Sequence, residues 1–392
     1  MMTVDAAQAA VLSLARLPAS ETVPLSQAWG RWMTVPATAR RDQPPFDASA
    51  MDGYAVAGDV TPGASFTVVG EAAAGRAWHG RLDAGEAVRI FTGAPVPAGA
   101  TRVVIQEDVI RAGDRINIGA TPDHATHIRA RGQDFAAGST LSPRRLRPAD
   151  LALLAAMNLA EVAVARRPVV ALLATGDELV MPGEVPRDDQ IIASNAQALA
   201  PLAREAGAIL RLMPIARDTM ADLAAVLAMT AGADLVVTIG GASVGAHDLV
   251  AQAVLAAGGT LDFHKVLLRP GKPLMAGRLR GAALLGLPGN PVSSVVCAHL
   301  FMLPLIRAMQ GDPNPLPKPQ RARLAVATGP TGPRTHYMRA RLSPGPDLPL
   351  IAPFERQDSA LLAVLAEADA LLIRPLGDGA QPAGALVDYL PL

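Results

Sequence analysis

The chain is short of several things that would otherwise define it. It has a single cysteine, Cys297, among 392 residues, so no disulfide within the chain and no cysteine-built zinc site is available. That usage fits a reducing compartment, and a cytoplasmic location is expected. Lys plus Arg and Asp plus Glu each number 35, a formal net charge of zero. The global basic excess on which non-specific nucleic-acid binding relies is missing, and no nucleic-acid partner is expected. No uninterrupted apolar run reaches the roughly 18 residues of a membrane span. The longest candidate, residues 151–165, is interrupted by Asn158 and Glu161, and no membrane association is expected. The N-terminus carries Asp5 early, has no basic stretch, and reads as an amphipathic helix rather than a secretory signal.

What is present points to a folded, multidomain chain. Half of the residues are hydrophobic, enough for more than one core, and at roughly 150 residues per domain the length allows about two to four. The 35 glycines and 34 prolines exceed ordinary usage without reaching the ~25% of low-complexity chains. Four zones differ in texture. Residues 1–45 hold a helical segment (5–17) and a Pro/Arg-rich passage. Residues 46–141 carry short β-prone runs at 64–69, 87–91, 102–109 and 115–118, divided by Gly, Pro and Asp, and predict a small β-rich domain. An apolar helix at 148–160 follows. With the N-terminal helix it lacks partners in the β zone, so the two are expected to pack on each other or on a second subunit.

Residues 167–312 alternate apolar runs (168–174, 235–239, 282–287) with Ala/Leu-rich helices (196–206, 220–229, 249–257, 292–309). Strands without polar alternation, separated by helices, predict a doubly wound parallel sheet covered on both faces. After the breaker-rich Gly311-Asp312-Pro313-Asn314-Pro315, residues 318–392 return to short strands at 321–326, 338–342, 370–374 and 386–389, a C-terminal β domain.

In a doubly wound sheet ligands sit at the carboxyl ends of strands, and four such ends carry suggestive loops. Thr175-Gly176-Asp177-Glu178 places two acids after a glycine turn, fit for a metal or a ribose, or for a turn whose Asp caps a helix. Gly240-Gly241-Ala242-Ser243-Val244-Gly245-Ala246-His247-Asp248 lets backbone N–H groups converge on a phosphate, with Asp248 holding a cation against it. The same glycines could merely permit positive φ, with Asp248 as an N-cap. Arg269-Pro270-Gly271-Lys272-Pro273 offers two close cations to an oxyanion, or is a solvated basic loop. Leu287-Pro288-Gly289-Asn290-Pro291 starts a helix, Asn290 as cap and Pro291 at its first position, and its amides would also suit an anion. In the β zone Asp52-Gly53 is by itself a common hairpin turn. No His/Cys cluster and no Walker loop occurs, which argues against an NTPase reading.

Taken in order, these motifs resemble the molybdopterin molybdenumtransferase family, the MoeA type related to the E domain of gephyrin. The matching segments are 49–56, 90–99, 103–109, 131–134, 175–179, 194–195, 240–248, 270–273 and 288–294, spread over about three quarters of the chain in the family's order. The resemblance implies a four-domain homodimer: a helical dimerisation region from residues 1–45 and 142–166, a β-rich domain (46–141), a central α/β molybdopterin-binding domain (167–312) and a C-terminal β domain (318–392). It implies conversion of adenylylated molybdopterin and molybdate to molybdenum cofactor with release of AMP, assisted by Mg²⁺ or another divalent cation. Other cofactor-synthesis proteins and apo-molybdoenzymes are the further partners it implies.

By that resemblance Asp177, Glu178 and Asp248 would hold the metal and, with Asp52 and Asp134, serve catalysis. Thr92, Ser194, Asn195, Gly240, Gly241, Ser243, Gly245, Pro288, Asn290 and Pro291 would bind substrate. Arg269, Lys272, Arg339 and Ser359 would take molybdate. Asp52, Thr92 and Asp134 are expected to reach a site completed by the other subunit. The sequence departs from the family pattern at Gln133, Ala193, Ala251, Arg269 and Asp358-Ser359-Ala360. A non-catalytic molybdopterin-binding or scaffold protein of the same fold is the alternative, and a pterin-binding or adenylylating enzyme sharing only the third domain is another. Retention of Asp177, Glu178, Asp248 and Lys272 favours catalysis over the first. The four-zone layout and the 49–56 motif disfavour the second.

Overall fold

The computed structural model describes residues 1–17, 19–241 and 249–392. Its contacts divide the chain into two compact units. One comprises Met1–Glu21, Gly30–Trp32 and Ala165–Leu392; the other comprises Thr22–Trp29 and Met33–Val164.

The second unit is built on a six-stranded sheet in the order Arg102–Ile105, Gly53–Val56, Glu86–Ile90, Ser65–Ala72, Arg115–Ile118, Val109–Ala112. Successive side chains enter cores on its opposite faces, Ala55, Val88 and Val103 in one and Tyr54, Ala87 and Val104 in the other, as the two-residue period of a strand requires. The strand expected over 102–109 is broken by a 3-10 turn at Gln106–Asp108. Asp52-Gly53 is not a hairpin turn. Gly53 opens an inner strand, and a Cβ there would lie 1.9 Å from the Val104 carbonyl oxygen, so close strand approach demands glycine. The helix Pro148–Ala156 starts on Arg147, whose N–H donates to the Asp150 carboxylate at 2.8 Å. It buries Leu154 with Met33, Leu146, Val162 and Val164 in a third core.

The first unit contains, in chain order, α1 (Val4–Leu12), β1 (Val169–Ala174), α2 (Asn195–Glu205), β2 (Ile209–Leu212), α3 (Met220–Met229), β3 (Leu235–Ile239), α4 (Leu249–Ala256), β4 (Thr260–Lys265), β5 (Pro273–Leu279), β6 (Ala282–Leu287) and the apolar helix α5 (Pro291–Met309). The strand order is β2-β1-β3-β6-β5-β4. The first four are parallel; β5 and β4 add an antiparallel edge. The sheet is therefore mixed, not the all-parallel sheet expected. Residues 260–265 alternate polar and apolar as an edge strand does, and β5 returns to β6 through Arg280-Gly281, both at positive φ (48° and 89°). That is the backbone of a two-residue hairpin turn, made here without the Asn-Gly or Asp-Gly that signals one in a sequence.

Leu172, Val237 and Leu285 pack against α1, α2 and α5 on one face, and Leu173, Val236 and Leu284 against α3 and α4 on the other. The N-terminal helix packs within the first unit. Its stripe Val4, Ala7, Val11 and Leu14 is buried in the first unit's core, and Gln8 Nε2 donates to the Leu300 carbonyl of α5 at 3.1 Å. Among the described residues the helix long and apolar enough to cross a membrane is α5, 19 residues, not 151–165, and it is mostly buried within the fold.

The C-terminal strands β7 (Gln320–Leu324), β8 (Thr335–Ser343), β9 (Leu350–Pro353), β10 (Ala370–Arg374) and β11 (Leu386–Pro391) follow the order β8-β9-β7-β11-β10, and β10 pairs back onto β8 to close a small barrel. The two-residue strand Leu268–Arg269 joins its edge beside β8.

Candidate functional site

A cleft of about 660 Å³ opens at the carboxyl ends of β1, β3 and β6, where parallel sheets place ligands. Its floor is the Thr175-Gly176 turn after β1 and Gly240-Gly241 after β3. Gly240 has φ of +94°, and a Cβ on it would sit 2.7 Å from the Thr175 carbonyl oxygen, so the two loops touch backbone to backbone as only glycine allows. Thr175 is 3% exposed, lines the cleft, and its Oγ1 has no hydrogen-bond partner among the described residues. Such a group is the kind a ligand or water completes.

One wall is acidic. Glu178 and Asp218 line it. Asp177 stands behind, its carboxylate accepting the Asp218 N–H at 3.1 Å and its carbonyl accepting from Arg217 Nη1 at 2.8 Å. Burial, then repulsion from Asp177 and Glu178, raises the Asp218 pKa above the ordinary carboxylate range. No helix follows Glu178; a short strand Leu179–Val180 does, so Asp177 caps nothing. Among the described residues no group of three His, Cys, Asp or Glu side chains is arranged to hold a metal ion. Asp177, Glu178 and Asp218 carry the hard oxygen donors a divalent cation prefers, but as placed here they do not form a metal-binding group, and Asp248, the further acid of the expected set, lies outside the described residues.

The opposite wall is made of helix starts. Ser194 and Asn195 begin α2, and Asn290 and Pro291 begin α5; all four line the cleft with Pro288. Two helix N-termini lining one space create a positive field, a setting for phosphates, although at α5 Pro291 has no N–H to offer. Asn195 Nδ2 donates to the Gly289 carbonyl at 2.6 Å, fastening one helix start to the other. Asn290 occupies the N-cap position but makes no side-chain cap bond. Its Nδ2 donates instead to Ser359 Oγ at 3.0 Å, and the Val292 N–H donates to the Ser359 carbonyl at 3.1 Å.

The structure thus gathers Glu178, Ser194, Asn195, Gly240, Gly241, Pro288, Asn290 and Pro291 around one cleft, with Ser359 at its edge. Ser243, Gly245 and Asp248 lie outside the described residues. Arg269 faces a second cavity. Lys272 is half-buried in the turn before β5, its carbonyl accepting the Val266 N–H. Arg339 is 1% exposed, and its guanidinium donates to the carbonyls of Leu361 (3.1 Å) and Arg356 (3.2 Å). It anchors the loop that carries Ser359. In the second unit, Asp52 Oδ1 accepts from both the N–H and the hydroxyl of Thr92, each at 2.7 Å, which holds its pKa below the usual value. Asp134 is exposed on a loop fixed by Asp47 and Asp42, which accept from the Arg131 N–H and the Ala137 N–H at 2.8 and 2.7 Å.

Sequence reasoning missed Asp218 and the Thr175 hydroxyl. Asp218 lies 40 residues beyond Glu178 in a loop without glycine signals, and only the pairing of Thr175 with Ala216 brings it back. Thr175 was visible inside its motif, but a hydroxyl's lack of a partner is a three-dimensional fact.

Three family models cover the chain: the MoeA N-terminal region (domains I and II) over residues 2–158, a probable molybdopterin binding domain over 171–308, and the MoeA C-terminal region (domain IV) over 321–392. Molybdopterin molybdenumtransferase 2 of Mycobacterium tuberculosis is 39% identical over 87% of this chain and 88% of its own length. Molybdopterin molybdenumtransferase of Nostoc sp. is 38% identical over 74% and 70%. The crystal structure of the molybdopterin biosynthesis MoeA protein from Pyrococcus horikosii superimposes with a TM-score of 0.84 at 30% identity, covering 100% of this chain and 99% of that one. With all three models in order and relatives at this identity and coverage, the chain belongs to the MoeA-type molybdopterin molybdenumtransferase family.

Proposed function

We propose that this chain converts adenylylated molybdopterin and molybdate to molybdenum cofactor, releasing AMP. Relatives that match it over 87% and 74% of its length carry the name of that transferase. The observation in the chain itself that carries the reading is the composition of the cleft. Two helix N-termini and the acids Glu178 and Asp218 line one cleft with touching glycine and threonine backbone, an arrangement matched to a polyanion bound together with a cation.

Asp177, Glu178 and Asp218, joined by Asp248 from the sequence motif, are the groups that would hold Mg²⁺ or a similar ion. Such an ion would neutralise charge on the phosphoanhydride and its leaving phosphate. The remaining work falls to the chain's own donors. Backbone N–H groups at the starts of α2 and α5 hold the substrate's phosphate oxygens. The Thr175 hydroxyl donates to an oxygen placed on the cleft floor. Lys272, Arg269 and Ser359 are the molybdate-binding groups, and Arg339 acts on that site by holding the loop of Ser359 in place. Asp52, with one oxygen tied by Thr92, presents its other oxygen to substrate, and Asp134 acts beside it. The enzyme works as a cytoplasmic homodimer and hands its product to apo-molybdoenzymes.

Incubating the purified chain with adenylylated molybdopterin, molybdate and Mg²⁺ and measuring AMP tests the reading. Molybdate-dependent AMP release is the expected result. A protein that binds the adenylylated pterin but never releases AMP, whatever cation is supplied, would be a scaffold of the same fold.

A further inference from the structure

One side chain, that of Arg89 in the strand Glu86–Ile90, touches most of what holds Asp52 in place. Arg89 is the register partner of Tyr54 on the neighbouring strand, so the two share a face. Its guanidinium lies over the Tyr54 ring, 5.0 Å from the centroid, and over the Phe91 ring at 4.8 Å. Nη1 donates to the Gly53 carbonyl at 3.1 Å, and Nη2 donates to Gln106 Oε1 at 2.7 Å.

Each of these contacts adjoins a support of Asp52. Gly53 is the next residue in the chain. The Gln106 N–H donates to the Asp52 carbonyl at 3.1 Å, and its side-chain amide is oriented at the other end by Nε2, which donates to Glu107 Oε1 at 3.2 Å. Phe91 precedes Thr92, whose N–H and hydroxyl both donate to Asp52 Oδ1. Arg89 therefore links the strand that leaves Asp52, the turn that binds its carbonyl and the loop that binds its carboxylate. All of these residues lie in one compact unit.

A guanidinium suits this place for two reasons. It is a planar fork that can reach two acceptors while lying against aromatic rings, which a lysine ammonium cannot do. Its charge is also left over, because neither acceptor is a carboxylate. Glu71, the register partner of Arg89 on the other side, pairs with Arg76 instead. The charge of Arg89 reaches Asp52, adding to the two Thr92 bonds that keep the carboxyl below its ordinary range.

We infer that Arg89 is a positioning residue for Asp52, locking the three segments around the carboxylate so that the oxygen not held by Thr92 points in a fixed direction. The inference deepens the transferase reading and rests on Asp52 facing substrate in it.

Two variants of the full-length chain test it. Arg89→Met keeps the stem and removes the fork; Arg89→Lys keeps the charge, and carries the same test if the first does not fold. Each should slow AMP release by roughly tenfold to a hundredfold, the scale on which small misplacements of a reacting group are felt, with binding of the adenylylated pterin unchanged. Combined with Asp52→Asn, each should be no slower than Asp52→Asn alone, because both changes disable one unit. Independently of turnover, amide hydrogen exchange at Thr92 should quicken at least several-fold, while exchange at Arg115–Ile118, two strands away in the same sheet, stays as in wild type. Losses that multiply with those of Asp52→Asn, or exchange that quickens equally in both segments, would make Arg89 a general support of the sheet and overturn the inference. So would variants that match wild type in both rate and exchange. A wild type that releases no AMP refutes the transferase reading, and exchange at Thr92 then still decides whether Arg89 holds Asp52.

Discussion

Asn290 at the start of α5 donates through Nδ2 to Ser359 Oγ at 3.0 Å, tying a corner of the α/β cleft to a loop of the C-terminal barrel. The bond replaces the helix cap that an Asn-Pro start would ordinarily make. It makes the edge of the cleft depend on a segment some seventy residues away. Asn290→Ala and Ser359→Ala should each raise the molybdate concentration for half-maximal rate. The double variant should be little worse than either single one, because both remove the same bond. Fully additive effects would mean that the two side chains act separately.

Thr175→Val tests whether the unpartnered hydroxyl belongs to the ligand. Valine keeps the shape and removes a buried polar group that has no partner among the described residues, so the melting temperature should hold or rise. Binding of the adenylylated pterin, followed by calorimetry, should weaken by about tenfold. Unchanged affinity would assign the hydroxyl to a buried water.

Asp218→Asn addresses the acidic wall. Asp218 titrates above its ordinary range because of burial and of repulsion from Asp177 and Glu178, so neutralising it relieves strain in the cation-free protein. Thermal melting without divalent cation should show an unchanged or higher midpoint. The Mg²⁺ concentration needed for half-maximal AMP release should rise several-fold. A lower midpoint with unaltered Mg²⁺ dependence would place Asp218 in a purely structural role.

The C-terminal barrel should lose stability on mild acidification. Burial first, then neighbouring arginines, lower the His336 pKa to about 4, against about 6.5 for an unfolded histidine. Between those values the unfolded chain binds a proton that the folded chain does not, so stability present above about pH 6.5 falls as pH drops toward 4. His299 of α5, lowered to about 4 mainly by burial, gives the α/β part of the same unit a like dependence in the same window. Melting followed from pH 7.5 to 4.5 should show this decline, and His336→Gln should flatten it.

Much of this fold is legible in the sequence because its signals are local. The runs at 235–239 and 370–374 and the helix at 220–229 have the same limits in the structure, since unbroken apolar strands and Ala/Leu-rich helices are set by their own residues. The antiparallel edge β4–β5 was hidden because Thr260–Lys265 is half exposed and its hairpin turns on Arg280-Gly281. The place of α1 was equally hidden, since a stripe of Val and Ala states that a partner exists without naming it. At the site, the glycine and helix-start motifs identify the cleft. Motifs cannot say that Asn290 abandons its cap for Ser359, that Arg339 spends its donors on a loop, or that Asp218 returns beside Glu178. Those follow from contacts between segments far apart in the chain.

The central claim is that the cleft at the ends of β1, β3 and β6 performs the transfer, and a single-turnover measurement of AMP tests it most directly. Enzyme in excess over adenylylated molybdopterin, with Mg²⁺, should release AMP when molybdate is added and far less without it. Glu178→Gln should bind the pterin yet slow that release by at least about a hundredfold, the scale of losing a charged group at a reacting phosphate. Equal AMP release with and without molybdate, or a Glu178→Gln enzyme as fast as wild type, would contradict the account.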